Sequence, residues 1–70
     1  MPKPGAKFRH YKGNEYVVVC LAKVEADMTD VVVYQDAKDR AKIWVRPLSM
    51  FIEEVEVDGV KKPRFEYIEE

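Results

Sequence analysis

The chain holds one histidine, one cysteine and one tryptophan, so any reaction chemistry has to start from His10 and Cys20. A thiolate and an imidazole together make a nucleophile and its base. The pair works only where the thiolate is partly exposed in electropositive surroundings. Cys20 lies instead between Val19 and Leu21 in an apolar run, where a thiol behaves as a small hydrophobe. Alternation along a strand groups it with Tyr16, Val18 and Ala22. No catalytic residue is therefore assigned. His10 by itself titrates near neutral pH and has the chemistry of a proton carrier or a ligand donor. A lone histidine on a short strand is more commonly a hydrogen-bonded rim residue. One histidine and one cysteine do not make a metal site. Glu53, Glu54, Glu56, Glu66, Glu69 and Glu70 supply carboxylates, with no pair that the spacing sets across a cleft. Each glycine sits beside turn residues rather than in a phosphate loop. No metal and no cofactor are expected.

The remaining constellation is aromatic and cationic: Tyr34, Trp44 and Arg46, with His10, Tyr11 and Arg64 as neighbours. Flat rings beside guanidinium groups combine apolar area with directed donors, the combination used by peptide grooves, base-stacking sites and anion pockets. The competing reading is structural. Trp44 and Tyr34 would then pack beneath a neighbouring turn, with Arg46 paired to an acid such as Glu54, because a small domain needs its large side chains for stability.

These residues must be positioned by strands. In the run from Ile43 to Phe51, Ile43 and Val45 share one face and Trp44 and Arg46 the other. Pro47 cannot donate to a sheet ladder, so it ends the strand and opens a single 3₁₀ or α turn. That turn would set Leu48, Phe51 and Met50 as a lid on the end of a barrel. Before it, Lys7 to Tyr11 reads as a first strand, Lys12-Gly13-Asn14 as a turn, Glu15 to about Val24 as a long second strand and Val31 to Gln35 as a third. Glu25 to Asp30 is a loop, and Asp36 to Lys42 a charged connection. Antiparallel pairing with Val33 opposite Val45 sets Tyr34 opposite Trp44 and Val32 opposite Arg46. Val31, Val33, Ile43 and Val45 then form the expected interior face, and Tyr34, Trp44 and Arg46 the outer one. Ile52 to Val57 is a further strand, Asp58-Gly59 a two-residue hairpin turn, Lys61-Lys62-Pro63 a step, and Arg64 to Ile68 the last strand. The expected fold is mostly β: a small antiparallel SH3-like barrel of five to six strands with one short helical turn.

Seventy residues make one domain, 1–70, with residues 1–5 as a loose leader rich in proline and glycine. Twelve basic residues against thirteen acidic ones leave no general electrostatic footprint for nucleic acid. The distribution is less even. Lys3, Lys7, Arg9 and Lys12 stand in residues 1–14 with no acid, whereas residues 51–70 hold seven acids and three bases. Attraction between neighbouring terminal strands is the plain reading, and a basic edge for an anionic partner the functional one. A single cysteine forms no internal disulfide, and the start lacks the basic-then-apolar pattern of a signal peptide. A cytoplasmic protein is expected. The longest apolar run, Tyr16 to Ala22, is far short of a spanning helix, so no membrane partner is expected either.

Taken in order, His10-Tyr11-Lys12-Gly13 with Tyr16, Val32-Val33-Tyr34, Trp44-Val45-Arg46-Pro47 with Met50-Phe51, and Asp58-Gly59 with Pro63-Arg64-Phe65 resemble the bacterial family catalogued as domain of unknown function 1653. The resemblance runs from Gly5 to Phe65. It implies a short, stand-alone, cytoplasmic, mostly β protein and no particular activity.

The function expected from these readings is a non-enzymatic binding module whose aromatic and arginine patch takes a peptide, a protein or a small anionic ligand. The alternative is a single-stranded nucleic-acid or nucleotide binder that stacks bases on Trp44 and Tyr34 and holds phosphates with Arg46, Arg64 and the basic leader. An enzyme acting through His10 ranks third.

Overall fold

The computed structural model describes residues 2–69. Seven strands and one helical turn succeed one another: β1 (Lys7–His10), β2 (Glu15–Val24), β3 (Thr29–Asp36), β4 (Ile43–Pro47), α1 (Leu48–Phe51), β5 (Glu54–Val57), β6 (Val60–Pro63) and β7 (Phe65–Glu69). All pairings are antiparallel. Five strands form one sheet in the order β4-β3-β2-β1-β7, and β5 and β6 form a separate two-stranded sheet. The fold is thus mostly β with one short helical turn, as the alternation requires. Its strand count exceeds the expected five to six because Lys61-Lys62-Pro63 is a strand rather than a step. Glu56 lies opposite Lys61 and Val57 opposite Val60, so cross-strand charge and apolar pairs hold β6 in place.

Turn chemistry explains the hairpins. Gly13 takes φ of +112°, a conformation that side chains rarely adopt, and lets the His10 amide donate to the Asn14 carbonyl at 2.7 Å. Asp58 and Gly59, at φ of +53° and +78°, both adopt the left-handed region that a two-residue hairpin turn needs. Between β2 and β3 the left-handed residue is Met28, at φ of +61°. Here the Met28 amide donates to the Val24 carbonyl and the Thr29 amide to the Asp27 carboxylate.

The register between β3 and β4 is the one that alternation predicts: Val33 opposite Val45, Tyr34 opposite Trp44 and Val32 opposite Arg46. The buried face is the reverse. Val18, Val32, Tyr34, Phe51 and Phe65 form the core, with Phe8, Tyr16 and Leu48 packed against it. Ile43 and Val45 are 55% and 60% exposed, and of the four residues expected inside only Val31 is buried. The cause lies in the lid. α1 drops Phe51 onto the Tyr34 side of the sheet, their rings 5.5 Å apart, and Phe65 from β7 stacks on Phe51 at 4.1 Å. The aromatic side chains bring more apolar area to that face than the valines bring to the other. Met50, expected in the lid, is exposed.

A β-bulge in β2 interrupts the pairing with β3 between Val18 and Cys20. Val18 lies opposite Tyr34, but Cys20 lies opposite Val33. The extra residue therefore moves Cys20 to the outer face, away from Tyr16 and Val18, which overturns the grouping by parity. His10 is in edge contact with the core ring of Phe65, so histidine and thiol belong to opposite faces of the sheet.

The leader is tied to the sheet: Pro2 is buried and the Gly5 amide donates to the Val18 carbonyl at 2.8 Å. Met1 lies outside the described residues. The terminal charges meet as the plain reading predicts, with Lys7 at 3.6 Å from Glu69 and Arg9 between Glu15 and Glu66. No helix among the described residues is long and apolar enough to cross a membrane.

Candidate functional site

Each residue of the aromatic and cationic set has a place on or around the core face, and Phe65 joins them. β1 pairs with β7 so that His10 lies opposite Phe65, and their rings meet edge to face at 4.9 Å. Tyr16 and Tyr34 approach the same ring at 5.9 Å and 5.4 Å. From β4, the Arg46 guanidinium lies over it at 5.6 Å. Two further contacts extend the group. Trp44 packs against Tyr16 at 5.6 Å, and Tyr11 tilts against His10 at 4.6 Å with Lys12 above it.

The six predicted residues divide by burial. Tyr34 is a core residue, 5% exposed, with only its hydroxyl committed to polar contact. Trp44 and Tyr11 are 40% and 39% exposed, although the Tyr11 ring already has His10 against it and Lys12 over it. Arg46 and His10 are half-buried. Arg64 serves the lid: its Nε donates to the Met50 carbonyl at 3.1 Å and its Nη2 to Glu53 at 3.3 Å. The structural alternative for Arg46, a pair with Glu54, is absent, and it is Arg64 and Glu53 that form the ion pair.

Arg46 is therefore distinctive. Its Nε donates to the Tyr34 hydroxyl at 3.3 Å, and among the described residues no carboxylate lies within salt-bridge distance of it. A half-buried guanidinium gains much from a charged acceptor, and its outer nitrogens have no acidic partner among the described residues.

Electrostatics around His10 agree. Its partial burial, and then the positive charges of Arg46, Lys12 and Arg64, hold the imidazole below its ordinary value of 6.5. Nδ1 accepts the Lys12 amide at 3.2 Å, so the neutral ring carries its hydrogen on Nε2. Arg46 and Lys12, with the Glu53-paired Arg64, thus surround a neutral His10 with positive charge on a nearly neutral chain.

An apolar cleft of about 260 Å³ lies on another side of Phe65, lined by Pro2, Phe8, Phe51, Ile52, Phe65 and Tyr67. None of the six predicted residues lines it. Sequence reasoning also missed Phe65 and Tyr16 as members of the cluster. The available signal was the charge complementarity of the termini, which pairs the first and last strands and so brings Phe65 to His10. Among the described residues, no three histidine, cysteine, aspartate or glutamate side chains converge as metal ligands would.

Comparison with known proteins bears on the whole chain. The family model described as protein of unknown function (DUF1653) matches residues 6–67. A crystal structure of a DUF1653 protein from Bordetella bronchiseptica is similar, with a TM-score of 0.83 and 35% sequence identity. The match covers 96% of this chain and 87% of that one. No curated protein matches.

Proposed function

For a chain that belongs to the DUF1653 family of unknown function, we propose a non-enzymatic binding module that captures an anionic group on Arg46, beside the ring of Trp44. One observation carries this reading: Arg46 is held by the Tyr34 hydroxyl and the Phe65 ring, yet has no acidic partner among the described residues. A guanidinium fixed in this way offers its remaining N–H groups as a fork, the geometry that carboxylate and phosphate oxygens fit. Lys12 and the Glu53-paired Arg64 add positive potential around the neutral His10, and the exposed part of Trp44 supplies apolar contact for the rest of the ligand, with Tyr11 beside His10. An anionic peptide, protein segment or small molecule suits this combination.

The nucleotide reading has less support. Tyr34 is buried and cannot stack a base, and Lys7 and Arg9 of β1, just after the leader, already meet Glu69, Glu15 and Glu66. A cytoplasmic setting fits the free thiol of Cys20.

The test is an NMR and tryptophan-fluorescence titration with inorganic phosphate, a glutamate-rich peptide and a nucleoside monophosphate. Saturable shifts at Arg46, His10 and Trp44, lost in Arg46→Ala while the fold persists, are the expected result. Shifts that survive Arg46→Ala, or no saturable response to any of the three, would overturn the reading. A response confined to the nucleotide would favour base stacking instead.

A further inference from the structure

We propose that the open edge of β4 pairs with β4 of a second copy of this chain, antiparallel and centred on Val45. The argument starts from backbone polarity. The Asp36 amide donates to the Lys42 carbonyl at 3.0 Å, which makes Asp36 and Lys42 a hydrogen-bonded pair. Such pairs alternate along an antiparallel ladder, and the β3–β4 register continues without a shift. Tyr34–Trp44 and Val32–Arg46 are therefore the next ones. Ile43, Val45 and Pro47 fall between them, so the amides and carbonyls of Ile43 and Val45, and the carbonyl of Pro47, point away from β3. Among the described residues no strand takes them up, because β4 ends the sheet order.

The two ends of the sheet differ in how they discourage pairing. β7 presents Glu66 and Glu69, the charged blunting expected of an edge that stays single. β4 carries Ile43, Trp44 and Val45, all exposed, with its proline only at the last position.

Register follows from charge. Two copies of one strand meet antiparallel about a two-fold axis, and outward-facing residues must oppose outward-facing ones. Centring on Trp44 would put Lys42 opposite Arg46 of the other copy twice, a repulsive arrangement. Centring on Val45 puts Trp44 opposite Arg46 twice, each a ring against a guanidinium. It also sets Val45 against its own copy and Ile43 against Pro47, joining the exposed aliphatic faces. Four backbone bonds result: two between the Val45 residues, and two from the Ile43 amides to the Pro47 carbonyls. The missing amide of Pro47 costs nothing further at that register, since pairing stops there.

A five-residue edge buries less than the roughly 1,200–2,000 Å² of a tight complex, so the dimer forms by a concentration-dependent, rapidly reversible equilibrium. It brings both Arg46 side chains to one face of a continuous ten-stranded sheet. The proposal rests on the edge backbone and side-chain register, independently of any anion.

The experiment is light scattering and sedimentation of the full chain from micromolar to millimolar concentration, with Val45→Lys and Val45→Pro alongside. Twice the mass of one chain at the upper end is expected for the parent. Both variants should stay single, with unchanged circular dichroism, because Val45 is exposed and its amide faces away from β3. Val45→Lys sets like charges across the axis and Val45→Pro removes a donor. Should Val45→Pro fail to fold, Val45→Lys alone decides. Register is read in a Cys20→Ala background, where Val45→Cys should oxidise to a linked dimer and Trp44→Cys should not. A single-chain mass throughout, assemblies larger than two, dimers unaffected by Val45→Lys, or linkage through Trp44→Cys in preference would each overturn the proposal.

Discussion

The Arg46 guanidinium lies over the Phe65 ring, 5.6 Å from its centroid, while Phe65 stacks on Phe51 beneath the lid at 4.1 Å. One aromatic ring thus supports both the fold and the cation proposed to bind. Truncating Phe65 to alanine should cost about 3–5 kcal/mol, the range for a buried aromatic. Trp44→Ala, at a half-exposed position, should cost about 2 kcal/mol, roughly half that range. Urea denaturation of both variants measures the difference. Equal losses, or a larger loss for Trp44→Ala, would contradict the placement of the core.

His10 should make stability depend on pH. Its folded-state value lies below the ordinary 6.5, so between the two values the unfolded chain binds more protons than the folded one. Stability therefore rises with pH across that window, is fully present above 6.5, and is lost as pH falls through the folded value. His10→Asn should flatten the profile below pH 6.5 and leave it unchanged above, as measured by denaturation at a series of pH values.

A bound anion should reverse that shift. With phosphate near Arg46, the repulsion that disfavours imidazolium is offset, so the His10 titration followed by NMR should move upward on adding phosphate. It should not move in Arg46→Ala. An unchanged titration in the parent would remove His10 from the proposed site.

Strand order along the chain and the β3–β4 register were legible because both follow from two-residue alternation and from Pro47. Which face is buried was not. Val33, Ile43 and Val45 are β-branched, and β-branching signals a strand without saying which side is covered. The answer depended on Phe65, distant in sequence, arriving through the β1–β7 pairing. Likewise the bulge before Cys20 shifts its parity, and nothing in Val17-Val18-Val19-Cys20 marks where the extra residue sits. Of the six candidate residues chosen from sequence, His10, Tyr34 and Arg46 touch the Phe65 ring, and only burial and hydrogen bonding separated Tyr34 as core and Arg64 as a tie to the lid from the exposed Trp44.

The β5–β6 hairpin offers a clean backbone test. Gly59 sits at φ of +78° with nothing within 4 Å of where a Cβ would stand, so Gly59→Ala meets no clash and its cost is conformational. A loss of about 1–2 kcal/mol is expected, checked by thermal denaturation. A neutral result would mean that the hairpin relaxes into another turn.

The hydrogen bond from Arg46 Nε to the Tyr34 hydroxyl, 3.3 Å long, decides whether the guanidinium is oriented or merely present. Tyr34→Phe keeps the buried ring and its contacts with Phe51 and Phe65 while deleting the acceptor. It should cost about 1 kcal/mol and weaken phosphate binding with the charge intact. In an Arg46→Met background the same change should cost almost nothing, because the donor has gone. A double-mutant cycle isolates that coupling. Because Arg46 is half-buried, its Nε has little water to turn to when the hydroxyl is removed, so the coupling should appear in stability as well as in binding. Additive losses would mean that the Phe65 ring alone holds the guanidinium, and the fork geometry on which anion capture depends would have lost its anchor.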